Sequence, residues 1–329
     1  MRSLTVLSLA LALAACSPPV QPPTDSGAQD TGSSSMPDAS SPMDDASAPV
    51  EDVIAPTGDA GNPLIAARPY RVRAPGNYTT LGPLPLVVLL HGYGANATGQ
   101  EAYFALGPQV SERRFLLALP DGTRDAGGKQ FWNATDACCN FLNAPVDDVA
   151  YLRALIADMK ARYNVDANKV YVIGHSNGGF MALRMACEMS DEIAAVMSLA
   201  GAGYSDAMRC APSRTVHVLQ VHGDMDQTVL FGGAPALVAG GQPYPGAERT
   251  VGDWATRNGC AMTRMSSGAD LDLDSVLVGA ETTREAHTGC RAGGSAELWR
   301  IRGGSHIPTF GAAWAPSVID WLYAHARAM

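Results

Sequence analysis

The chain is expected to fold as an α/β protein, with a mainly parallel central sheet covered by helices on both faces. Two observations predict this. Apolar β-branched runs alternate with helical patterns over the greater part of its 329 residues, as in parallel sheets built from strand–helix units. A glycine-flanked serine in VYVIGHSNGGF, residues 170–180, then stands where one apolar run gives way to a helical segment, a junction such folds use for chemistry.

The elements follow in chain order. MRSLTVLSLALALAACS carries one positive charge, an apolar run of about a dozen residues and small residues before Cys16, which reads as an export signal over residues 1–15. That run falls short of the roughly 20 residues a membrane-spanning helix needs. The residues before Cys16 resemble a bacterial lipobox, which implies cleavage there, lipidation of the thiol, and a membrane contact made only through acyl chains. The expected location is therefore extracytoplasmic, as a lipoprotein of the outer membrane or cell surface, with simple secretion as the alternative.

From Cys16 to Asn62 the composition is nearly all Ser, Pro, Asp, Ala, Gly and Thr, too poor in large apolar groups to fold alone. It reads as a solvated tether. Of the net charge of −9, the tether supplies −8 and Arg2 +1, leaving −2 for everything after Asn62. A near-neutral domain argues against nucleic acid as a partner.

Residues 63–329 are enough for one large domain with a sizeable core. Strands are expected at 84–90, 115–119, 170–173, 194–199 and 215–221. Helices are expected from a cap at Asp147 or Asp148 to about Tyr163, from Asn177 to about Met189, and over about 312–328. Met181, Met185 and Met189 repeat every four residues on the second of these and read as core packing. Asp270, Asp272 and Asp274 read as the exposed face of a short strand, because the glycine and glutamate of a calcium loop do not follow in register.

Ser176 therefore falls on a tight elbow that pushes its hydroxyl above the carboxyl end of the sheet, with Gly174 and Gly178 leaving room for strand and helix. It is the candidate nucleophile. A base and an acid should follow it in the order acid, then histidine. His325 lies in the last helix and His287 in a polar, strand-like run, whereas His306 stands on the glycine-rich loop of RIRGGSHIP, able to reach over the sheet edge. In VHVLQVHGDMDQTV both Asp224 and Asp226 could serve as the acid; Asp226 is taken for that role and Asp224 for a turn residue. The loop of LLHGYG, residues 89–94, also follows an apolar strand, so the N–H groups of Tyr93 and Asn177 are the candidate oxyanion donors, and His91 reads as a structural hydrogen-bonding residue.

Six cysteines besides Cys16 allow three bridges. Their connectivity stays open from spacing alone, except that Cys138 and Cys139 are not expected to pair with each other. A zinc site is disfavoured, since no Cys-x-x-Cys or histidine cluster of ligand spacing accompanies them.

PLVVLLHGYG, FWNATDACC, DDVAYLRALI, GHSNGGFMALRMACE, HGDMDQTV, the NGC around Cys260 and GGSHIP together resemble the polyhydroxybutyrate depolymerase-like esterases, close to the feruloyl esterases, of the α/β-hydrolase superfamily. The resemblance covers about residues 68–322. It implies an α/β-hydrolase fold, a catalytic triad of Ser176, Asp226 and His306, and a Cys260–Cys290 bridge, with Cys138, Cys139, Cys187 and Cys210 supplying others. The family often carries Trp-Pro shortly after the histidine, whereas here Ile307 and Pro308 follow at once, so the substrate wall beside His306 is expected to differ.

The function this points to is a secreted serine esterase, working through an acyl-enzyme on hydroxyalkanoate or feruloyl-type esters and needing no cofactor or metal. Substrate contacts are expected around Tyr93, around Phe131 and Trp132, and in the Gly/Pro-rich stretch 231–246, with a core role the equal alternative for Trp132. The rival readings are a serine peptidase or acyltransferase with the same three side chains, and a catalytically silent, polymer-binding surface lipoprotein.

Overall fold

A computed structural model of the chain describes residues 62–236 and 242–327 together with the backbone of 51–54. The expected signal peptide, Cys16 and all of the tether except 51–54 and Asn62 lie outside the described residues.

Ten strands form one sheet: β1 (Glu51–Ile54), β2 (Arg71–Ala74), β3 (Leu84–Leu90), β4 (Leu116–Leu119), β5 (Val165–His175), β6 (Ala195–Leu199), β7 (His217–Gly223), β8 (Arg264–Ser266), β9 (Thr282–His287) and β10 (Ser295–Ile301). Their order is β1-β2-β4-β3-β5-β6-β7-β10-β9-β8. The six strands from β4 to β10 run parallel, and antiparallel strands finish each side. Strand β1 falls inside the stretch read as a tether, where it pairs Glu51 to Ala74 and Ile54 to Arg71.

Among the described residues seven α-helices accompany the sheet: α1 (Pro63–Ala67), α2 (Ala97–Phe104), α3 (Gln109–Arg113), α4 (Asp148–Arg162), α5 (Asn177–Glu188), α6 (Ala247–Arg257) and α7 (Trp314–Ala324). All seven side chains of β3, LPLVVLL, are buried, as befits a strand covered on both faces. Alternation along β3 divides the core in two. Leu86, Val88 and Leu90 pack with Leu152 of α4, Phe180 and Met185 of α5 and Trp254 of α6. Val87 and Leu89 pack with Phe104 of α2, Val110 of α3 and Ile319 and Leu322 of α7. The methionine row of α5 lies wholly in the first of these. Asp147, rather than Asp148, caps α4 through a hydrogen bond from the Ala150 N–H at 2.9 Å.

Among the described residues there are three disulfides, Cys138–Cys139, Cys187–Cys210 and Cys260–Cys290. The first corrects the expectation that the adjacent pair would not bridge. Its peptide bond is cis, which brings the two Cα atoms to 3.0 Å and the thiols within reach of each other. Asp274 also departs from its reading as an exposed strand residue: it is buried, and its carboxylate accepts the Val276 N–H.

Candidate active site

Strand β5 ends at His175, and the chain turns into α5 at Asn177 with Ser176 between them at φ 54°, ψ −120°. A non-glycine residue held there carries backbone strain. Two glycines make the turn sterically possible. A Cβ on Gly174 would come within 2.4 Å of the Gly178 carbonyl carbon, and one on Gly178 within 2.3 Å of the Leu90 carbonyl oxygen. Serines before a helix commonly bond back to its first N–H groups. Ser176 makes no such bond.

Its hydroxyl instead donates to His306 Nε2, 3.0 Å away. On the other side of that ring, Nδ1–H donates to Asp226 Oδ2 at 2.7 Å. The three side chains, 130 and 80 residues apart in the chain, form one continuous hydrogen-bonded line. His306 reaches it on a loop that begins at Gly303 (φ +79°), where the Gly303 N–H donates to Asp224 Oδ1 at 2.7 Å and the Gly304 carbonyl accepts from the Met225 N–H at 3.0 Å. Asp224 also receives two bonds from the Arg300 guanidinium. It is thus the turn residue that fixes the histidine loop, and Asp226 is the acid that meets the imidazole.

Asp226 is buried, which opposes its ionisation. Hydrogen bonds from His222 and His306, together with backbone N–H groups, outweigh that opposition and hold its carboxyl well below the usual carboxylate range. The other two candidate bases are elsewhere. His287 bonds the Ala261 carbonyl, and His325 bonds the Trp321 carbonyl and stacks on its indole.

The backbone of Gly92 lies against the serine, for a Cβ there would be 3.5 Å from Ser176 Cβ. Tyr93 is the next residue. Among the described residues, neither the Tyr93 N–H nor that of Asn177 donates to a backbone acceptor outside the helices and strands. The Asn177 side chain grips the Trp132 backbone, accepting its N–H at 2.7 Å and donating to its carbonyl at 2.9 Å. His91 behaves as a structural group: its Nδ1–H donates to the Gly92 carbonyl and its Nε2 accepts the Gly122 N–H.

Trp132 corrects the expectation of a substrate contact. It is 0% exposed, and its indole N–H donates to the His91 carbonyl at 3.0 Å. Its area supports the elbow from below, and Phe131 is likewise buried. Tyr93 stays partly exposed, with its phenol on Asp125 and its ring edge-on to Phe141. Of the stretch 231–246, residues 237–241 lie outside the described residues.

Two side chains beneath the site were not singled out from sequence. His175 Nε2–H donates to the main-chain carbonyl of His306 at 2.9 Å. His222 Nε2–H donates to the Val229 carbonyl at 2.8 Å and approaches Asp226 Oδ2 at 3.2 Å. A signal was present: LLHG, IGHS and QVHG each set a histidine where an apolar strand ends. In each case the ring holds a loop carbonyl.

A parallel sheet bearing a serine on a strand-to-helix elbow, with an acid and a histidine delivered by loops after later strands, defines an α/β hydrolase. The family model "Esterase" matches residues 64–227 of the chain, in keeping with the resemblance to esterases. Feruloyl esterase B of Piromyces equi is 26% identical over 240 residues, covering 71% of this chain and 42% of that enzyme. Poly(3-hydroxyalkanoate) depolymerase C of Paucimonas lemoignei is 30% identical over 179 residues, covering 52% and 39%. The chain thus spans less than half the length of these two relatives. Among solved structures, acetyl xylan esterase from Aspergillus awamori superposes with a TM-score of 0.57 at 15% identity, covering 83% of this chain and 99% of that one, a likeness of fold.

Proposed function

We propose that this protein is a serine-dependent carboxylic-ester hydrolase. The observation that carries the reading is the line Asp226–His306–Ser176, at 2.7 and 3.0 Å. Ser176 Oγ attacks the ester carbonyl carbon as its proton passes to His306 Nε2. The tetrahedral oxyanion is received by the N–H groups of Tyr93 and Asn177, whose role is to stabilise the charge as it develops. Collapse expels the alcohol, which takes the proton from His306 and leaves an acyl-Ser176. Water, deprotonated by the same imidazole, then releases the acid and restores the hydroxyl. Asp226 holds the ring with its proton on Nδ1 and stabilises the imidazolium formed in each half-reaction.

The substrate class follows the named relatives, a hydroxyalkanoate polyester or a feruloyl-type ester. The protein acts outside the cytoplasm, anchored through a lipidated Cys16 at the end of the tether or released by secretion.

A fluorophosphonate probe should label the wild-type protein, with the adduct on the peptide carrying Ser176, and p-nitrophenyl esters should be turned over. Ser176→Ala should lose both. Labelling that persists in the alanine variant would overturn the assignment. A panel of p-nitrophenyl esters, feruloyl esters, hydroxybutyrate oligomers and peptide amides separates ester hydrolysis from peptidase or acyltransferase activity. Replacing Cys16 with alanine should abolish incorporation of an alkyne-tagged fatty acid in a bacterial host.

A further inference from the structure

We infer that His175 is a positioning residue for the base: it fixes the backbone of His306, so that the segment carrying the nucleophile also sets where the imidazole stands. This rests on the reading of Ser176 and His306 as nucleophile and base.

The argument begins with the loop that bears His306. It is built from Gly303, Gly304 and Ser305, and glycines leave a backbone little resistance to swinging. Upstream it is tied to the acid loop, through the Gly303 N–H on Asp224 and the Gly304 carbonyl on Met225. Those bonds stop two residues short of His306.

The carbonyl of His306 itself is held from beneath, by the Nε2–H of His175 at 2.9 Å. His175 is adjacent in sequence to Ser176 and only 7% exposed. Its ring lies 5.0 Å from the His306 ring on one side and 5.3 Å from that of Tyr103 on the other. The Tyr103 hydroxyl then donates to the Pro308 carbonyl at 3.1 Å. Two consecutive contacts, at residues 306 and 308, therefore fasten the downstream half of the loop.

Because an acceptor carbonyl faces Nε2, the proton must sit on that nitrogen. Burial, with the neighbouring His306 adding to it, pushes the His175 pKa down to about 4, so the ring is a neutral donor at working pH. Packing alone would be met by any aromatic side chain. The donated bond demands a nitrogen at this one place, and it acts on the reacting geometry because a nucleophile and base displaced by about 1 Å lose on the order of 100-fold in rate.

The test compares His175→Phe, which keeps a ring but has no donor, with His175→Gln, whose amide N–H reaches the same carbonyl. Wild type and Ser176→Ala are run beside them on a p-nitrophenyl ester, with urea unfolding of every variant. The expected result is a fall in kcat of about 10- to 100-fold for His175→Phe at nearly constant KM, with His175→Gln recovering most of it. Equal kcat for the phenylalanine variant and wild type would overturn the inference, as would a loss in both variants that follows their unfolded fraction. If the wild type shows no turnover that depends on Ser176, the hydrolase reading falls with it, a result distinct from either of these.

Discussion

Two carboxylates two residues apart, Asp224 and Asp226, do different work because of what each one faces. Asp226 Oδ1 accepts the N–H groups of Thr228 and Val229 at 2.7 and 2.9 Å, which aims Oδ2 at His306. Asp226→Asn keeps the shape but can present an amide N–H to Nδ1. That stabilises the wrong tautomer, in which Nε2 carries the proton and cannot accept one from the serine. The expected loss is about 10³- to 10⁴-fold in kcat, with the unfolding midpoint lowered as well, since the ionised carboxylate stabilises the native state. Asp224 touches no reacting atom. Asp224→Ala removes the Gly303 and Arg300 bonds at a partly exposed site and should cost about 1 kcal/mol of stability, with a loss in kcat below about 10-fold. Steady-state kinetics and urea titration on the two variants check both outcomes; equal kinetic losses would undo the division of labour.

At the scale of elements, the elbow depends on strand β5 and helix α5 approaching more closely than any side chain permits. Gly178→Ala puts a methyl 2.3 Å from the Leu90 carbonyl oxygen, a backbone atom of β3 that cannot step aside. The variant should lose about 3 kcal/mol or more, at the upper end of overpacking costs, read as a lowered urea midpoint or as protein lost to the insoluble fraction. These central elements were legible in the sequence because burial on both faces leaves an unbroken apolar run, as in LPLVVLL, and because an elbow demands glycine at fixed positions. The margins of the sheet were not. Strands β1 and β8 are short and polar, EDVI and RMS, and are recruited by backbone pairing with β2 and β9, which leaves no periodicity to read. The same reason hid His175 and His222, whose hydrogen bonds end on main-chain carbonyls and so have no partner residue type to search for. Trp132 misled in the opposite sense: an aromatic residue beside a site looks like a wall, but its area and its indole N–H are both taken up beneath the elbow.

Over the whole molecule, the histidines that hold loops in place tie stability to pH. Burial lowers the pKa of His91, His175, His217 and His325, with His306 adding to the effect on His175 and His325 to that on His217; His175 and His217 both reach about 4. An unfolded histidine titrates near 6.5. Between that value and about 4, the unfolded chain binds protons at these rings that the native chain refuses, so acidification favours unfolding across this window and has no such effect above it. For His175 alone the gap, at roughly 1.4 kcal/mol per pH unit, comes to about 3 kcal/mol lost by pH 4. Asp226 acts lower on the scale. Its carboxyl is held below the usual range, so its contribution is complete above the unfolded value near 3.9 and is lost only as pH falls through the lowered native one. The window from 6.5 to about 4 therefore reports the histidines. Urea unfolding of the domain at pH 8.5, 7.5, 6, 5 and 4.5 should show the midpoint steady between the first two relative to a steep fall across the rest, and His175→Gln should flatten that fall by removing one refused proton. A midpoint constant from pH 7.5 to 4.5, or an identical slope in the glutamine variant, would show that His175 is not held neutral in the native state.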